Sequence, residues 1–171
     1  NPEKANSFAK QFIEEEKVFA IIGPSTSGET MNIKSIMEEG KTILLSCAAA
    51  EVIVNPLAKY VFTTPQKDSF AVKWIYGQIN KMGIKKIGVT VGNTGFGKAG
   101  KAQLEAAAAD FGIKVVIAEV YDKKATDLTD VVTKLKLDEA VYMISDSRIN
   151  IAGIPEDRIG ELADKLVAAS R

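Results

Sequence analysis

The sequence predicts an α/β protein, a three-layer sandwich built on a mostly parallel sheet, followed by a C-terminal strand-strand-helix unit. Two observations carry this. Through about residue 137, short apolar β-branched runs alternate with segments of helical period, the order that gives parallel strands joined by right-handed crossovers with helices on the sheet faces. The loops 23–28, 46–50 and 92–97 all follow strand ends, the side on which such sheets hold their ligands.

Taken in order, Asn1 and Pro2 read as N-cap and first helical residue, and Ala5, Phe8, Ala9, Phe12 and Ile13 keep the helical period. The run 19–22 suits a buried strand that Gly23-Pro24 stops, and Met31, Ile33, Ile36 and Met37 mark a helix that Gly40 ends. A second strand is expected over 42–46. Residues 47–54 form a loop or a short helix that Asn55-Pro56 closes. The aromatic and β-branched run 60–64 reads as a strand, and Val72, Ile75, Ile79 and Met82 place a helix over 68–82. Strands follow at 86–91 and 114–120. Between them Leu104, Ala107, Ala108 and Phe111 mark a helix, and Leu128, Val131, Val132 and Leu135 mark another after them.

The tail departs from this order. Runs 140–144 and 149–152 are separated by four residues, too few for a parallel crossover, so they should pair as a hairpin or lie apart. Pro155-Glu156-Asp157 then opens a last helix with Ile159, Leu162, Ala163 and Leu166 on its apolar face. Because either group of strands alone has few members and a thin core, one merged domain over 1–171 is expected.

Composition narrows the function. The chain has 22 basic and 22 acidic residues, which leaves no global electrostatic case for nucleic acid or an anionic membrane, and no apolar run reaches bilayer length. With no charged-then-apolar leader at its start, the chain as given is expected to be soluble. It has no histidine and one cysteine, Cys47. Ser-His and Cys-His catalysis, a disulfide and the usual zinc motifs are thereby removed, and no metal or other cofactor is expected. Cys47 lies between a strand run and an alanine run and reads as a buried, inert thiol.

The corner Gly23-Pro24-Ser25-Thr26-Ser27-Gly28 is the main candidate site. Any of its three hydroxyls can cap the following helix, and uncapped amides at a helix start attract a carboxylate or phosphate. Spacing alone leaves a plain cap and a ligand site both open. A second candidate is Gly95-Phe96-Gly97-Lys98-Ala99-Gly100, which fits the G-x-G-x-x-G pattern after a strand, with Glu119 or Asp122 near the end of the next one. It supports the alternative of a dinucleotide-binding enzyme domain using Gly95, Gly97 and Gly100.

The corner, together with Leu44-Leu45-Ser46-Cys47-Ala48-Ala49, Tyr60-Val61-Phe62-Thr63-Thr64, Gly95-Phe96-Gly97 and Ala125-Thr126-Asp127-Leu128, resembles the branched-chain amino-acid-binding proteins of bacterial ABC importers over about 1–137. The resemblance implies a periplasmic-binding-protein lobe, flavodoxin- or Rossmann-like, with no catalysis, and a parent family that is periplasmic and docks on a permease. It implies that Ser25, Thr26 and Ser27, with Ser46, Ala48 and Ala49, hold the carboxylate and ammonium groups of an amino acid, and that Phe96 lines the facing lobe. Ala50 stands where related sequences commonly carry a serine or threonine, and the family's first binding loop has no counterpart here. Binding of a small amino acid is therefore expected to be weak or lost. From about residue 139, Val141-Tyr142-Met143-Ile144-Ser145-Asp146-Ser147-Arg148-Ile149-Asn150-Ile151-Ala152-Gly153 is similar to the C-terminus of fold-type I aspartate or aromatic aminotransferases. That similarity makes Arg148 a candidate carboxylate-binding residue and implies a recombined or engineered chimera whose tail covers an otherwise bare sheet.

Overall fold

Helix α1 (Pro2–Glu14) opens the chain, capped by Asn1, whose side-chain oxygen accepts from the Glu3 and Lys4 amides. The structure is a computed structural model and describes residues 1–137 and 143–145. Strand β1 (Ala20–Ile22), helix α2 (Ser27–Glu39), strand β2 (Ile43–Ser46) and strand β3 (Val61–Thr63) complete the first half. The segment left open as loop or short helix is a loop that ends in a single 3-10 turn, Glu51–Ile53. Helix α3 (Asp68–Lys81) crosses to the second half. There strand β4 (Lys86–Gly92), helix α4 (Gly95–Ala108), strand β5 (Lys114–Tyr121), helix α5 (Thr129–Leu137) and strand β6 (Met143–Ser145) succeed one another.

All strand pairs are parallel, and the predicted alternation of strand and helix holds. The six described strands fall into two sheets of three, in the orders β1-β2-β3 and β5-β4-β6. In the first sheet Ile21 pairs with Leu44, and Leu45 with Phe62. In the second, Val89 lies between Ala118 and Ile144. The run expected at 140–144 thus contributes Met143–Ser145 as an edge strand parallel to β4. The run 149–152, the last helix and Arg148 lie outside the described residues.

Each sheet has its own core, which follows from the side-chain alternation of its central strand. Leu44 of β2 is fully buried with Ala9 of α1, Ile33 and Met37 of α2, Ile53 and Val61. Ile87, Val89 and Val91 of β4 meet Val72, Tyr76 and Ile79 of α3 and Leu104 and Ala108 of α4. Within this second core Tyr76 is wholly buried, packs edge-on to Phe111 and donates its hydroxyl to the Leu104 carbonyl at 2.6 Å. The Glu38 carboxylate of α2 accepts from the Lys59 and Tyr60 amides and so fixes the entry to β3.

Candidate functional site

The loops predicted to carry function do follow the ends of β1, β2 and β4. Gly23 leaves β1 at φ +113°, a conformation open to glycine and costly for other residues, and so turns the chain toward α2. Thr26 is the N-cap of α2. Its hydroxyl accepts from the Glu29 amide and donates to Glu29 Oε2 at 2.7 Å, so cap and carboxylate hold each other across the first turn. Ser25 and Thr26 are exposed, whereas Ser27 is only 2% exposed.

Ser46 is fully buried and acts as a knot. Its hydroxyl is hydrogen-bonded to the Thr30 hydroxyl at 2.7 Å, donates to the Pro24 carbonyl and accepts from the Ala48 amide. Pro24 O also accepts from the Cys47 amide, so the loops after β1 and β2 are stitched together. Ala48 and Ala50 are buried, with Ala49 half-buried between them. Cys47 is exposed, not buried as its apolar neighbours suggested, because the side chain next to the inward-facing Ser46 turns outward.

On the other half, Thr94 caps α4 by accepting from the Gly97 amide, and Phe96 in the first turn stays 44% exposed. The starts of α2 and α4 touch. A Cβ on Gly95 would lie 2.6 Å from both Cα and N of Gly28, so the helices approach this closely only because residue 95 is glycine. Among the described residues the first-turn amides of Ser27, Gly28, Gly95 and Phe96 have no hydrogen-bond acceptor. Two helix starts with partial positive charge therefore meet beside exposed Ser25, Thr26 and Phe96. The Gly28–Gly95 contact brings the two helix starts together, and Ser46 ties the loop before α2 to the loop after β2.

This geometry removes the physical basis of the dinucleotide alternative. Gly95, Gly97 and Gly100 all lie inside α4 rather than in a turn before it, Thr94 occupies the Gly97 amide, and Gly95 packs on α2. No glycine turn remains to cradle a pyrophosphate. Sequence reasoning missed two groups at this site. Thr30 and Asp68 are buried polar residues bonded to the site loops, and their signal was a hydroxyl or carboxylate on the apolar face of a helix pattern. Among the described residues no cluster of ligating side chains is placed to hold a metal.

A family model described as periplasmic binding protein matches residues 1–149. Among solved structures, the chain is similar to an extracellular ligand-binding receptor from Rhodopseudomonas palustris HaA2, with 29% identity and TM-score 0.79 over 85% of this chain and 41% of that one. It is similar in fold to an ABC-transporter solute-binding protein from R. palustris in complex with 4-hydroxybenzoate, at 21% identity and TM-score 0.74 over 85% of this chain and 39% of that one. A periplasmic binding protein from Burkholderia mallei shares the fold at 16% identity and TM-score 0.79, over 99% of this chain and 45% of that one. The chain thus spans about two fifths of the length of the structures it matches. No curated protein matches the sequence. The aminotransferase resemblance gains no support, since the family match runs on through residue 149, across Arg148.

Proposed function

The chain belongs to the periplasmic binding protein family, a family of solute-binding proteins and not of enzymes, and on that premise we propose that it receives the carboxylate of a small organic acid between the starts of α2 and α4. The observation that carries this is the contact of Gly28 with Gly95, which sets two positive helix ends side by side. An anion there satisfies free amides and relieves the repulsion of like partial charges. Ser25 and Thr26 add hydroxyls, and the exposed Phe96 ring offers an apolar face for the body of the ligand.

A zwitterionic amino acid fits this site less well than a plain carboxylic acid. Its ammonium group needs a free carboxylate or carbonyl, and the carboxylates near these loops are engaged. Glu29 bonds Thr26 and the Asn1 ammonium, Glu51 pairs with Lys67, and Asp68 is buried. The amino acid expected from the sequence resemblance is therefore bound weakly or not at all, and an aromatic acid of the kind held by the R. palustris protein is the better candidate. The family's setting is periplasmic, and among the described residues no helix is long and apolar enough to cross a membrane. Docking on an ABC permease is proposed only for the whole protein of which this cleft is part.

Isothermal titration with 4-hydroxybenzoate and with leucine tests the proposal. The aromatic acid is expected to bind at least about tenfold tighter, a difference of roughly 1.4 kcal/mol. A preference for leucine, or no heat from either ligand at millimolar concentration, refutes it.

A further inference from the structure

Residues 67–69 at the start of α3 grip residues 49–51 after β2 through several contacts. The Asp68 amide donates to the Ala49 carbonyl at 2.9 Å. Asp68 Oδ1 accepts from the Glu51 amide at 3.0 Å and from the Ser69 amide at 2.9 Å. In return the Ser69 hydroxyl bonds the Glu51 carboxylate and, ahead of Asn55 and Lys67, holds it below the usual carboxylate range. Lys67 Nζ lies 3.5 Å from Glu51 Oε1. Three consecutive residues of the crossover thus hold Ala49 and Glu51, in a loop that follows a strand of the other half.

Asp68 is the centre of this clasp and carries a cost there. It is 6% exposed, its Oδ2 is buried with no partner, and burial pushes its carboxyl above the usual range, with the Glu51 charge adding to the rise. A helix cap alone does not require a carboxylate this deep, since Ser, Thr or Asn serves at a helix start without burying a charge. What sets Asp68 apart is its reach across to the loop. The loop belongs to the first sheet, while Val72, Tyr76 and Ile79, farther along the same face of α3, fill the core of the second.

We infer that Asp68 is a positioning residue that locks the 46–50 loop to α3, so that any swing of one half against the other moves Ala49 and Ala50 with the crossover helix. The inference rests on the proposed cleft for its functional meaning but not for its test. Cys47 is the single cysteine and is exposed, and Lys73 is exposed on α3. Spin labels at Cys47 and at Lys73→Cys therefore report the loop-to-helix distance in the full chain without ligand.

The Lys73→Cys background is expected to give one narrow distance distribution. Asp68→Ala should broaden it at least twofold, and Asp68→Asn, which keeps the Oδ1 acceptor, should leave it within experimental width. A merely structural role predicts lower stability without this split between Ala and Asn. If Asp68→Ala does not fold, Glu51→Pro takes its place, deleting the amide donor at the first position of a helical turn, where proline is tolerated. It too should broaden the distribution. A narrow distribution in Asp68→Ala, or in Glu51→Pro where that variant stands in, or an Asp68→Asn distribution as broad as that of the alanine variant, overturns the inference. Calorimetry with 4-hydroxybenzoate on the unlabelled protein reports separately on the cleft.

Discussion

At position 46 one hydroxyl with no exposed surface joins the loop after β1, the loop after β2 and the body of α2. Removing it in Ser46→Ala leaves the buried Ala48 amide without its acceptor and the Thr30 hydroxyl with the Thr26 carbonyl as its remaining partner. The loss is expected to be about 2 kcal/mol in urea unfolding, with an unchanged denaturant slope. A threonine at 46 restores the hydroxyl but adds a methyl where Thr30 and Leu44 leave no exposed surface, so it should rescue only in part. The sequence showed a serine at a strand end beside a candidate ligand loop. It did not show which way the hydroxyl faced, because a serine in that place reads the same whether it meets solvent or the neighbouring helix. Among the three hydroxyls that could cap α2, the structure selects Thr26, whose oxygen accepts from the Glu29 amide.

Elements meet most closely where α2 and α4 begin. A Cβ at residue 95 would collide with backbone, which cannot swing aside as a side chain tip does. Gly95→Ala should therefore push the two helix starts apart, cost about 2 kcal/mol and weaken 4-hydroxybenzoate binding by about tenfold. Gly100→Ala is the control, because a Cβ there meets nothing and the substitution should be neutral or slightly stabilising. Each of the helices and strands expected within residues 1–137 is present, with ends shifted by a residue or two. Apolar periodicity, with the Asn1 cap and the glycine stops, was sufficient to find them. The division into two sheets was not legible. A crossover helix such as α3 has the same pattern whether the next strand joins the old sheet or founds a new one. What decides is the packing of Val72, Tyr76 and Ile79 on β4 and not on β2, a matter of distant contacts that a local pattern does not encode.

For the molecule as a whole, the contact of α2 with α4 and the clasp between α3 and the 49–51 segment couple the two cores. We propose that the chain behaves as one domain and expect a single calorimetric transition in which the van't Hoff and calorimetric enthalpies agree. Two resolved transitions would show the halves to be independent. Against that cohesion stands an open groove of about 400 Å³ between α1 and the outer side of β1, rimmed by exposed Phe8, Phe12 and Ile22 and containing none of Ser25, Thr26, Ser27, Ser46 or Phe96. The phenol of Tyr76, sealed between α3 and α4, also gives the second core a built-in optical gauge. Burial, with Glu105 nearby, pushes its pKa up to about 12 from the ordinary 10.0. The folded form thus binds that proton more tightly than the unfolded chain, so stability is intact below pH 10 and drains away as pH climbs through the window up to about 12. In an alkaline titration followed at the tyrosinate absorbance band, this ring should ionise in step with loss of far-ultraviolet ellipticity. In Tyr76→Phe the late absorbance step should vanish, and the ellipticity should persist to higher pH.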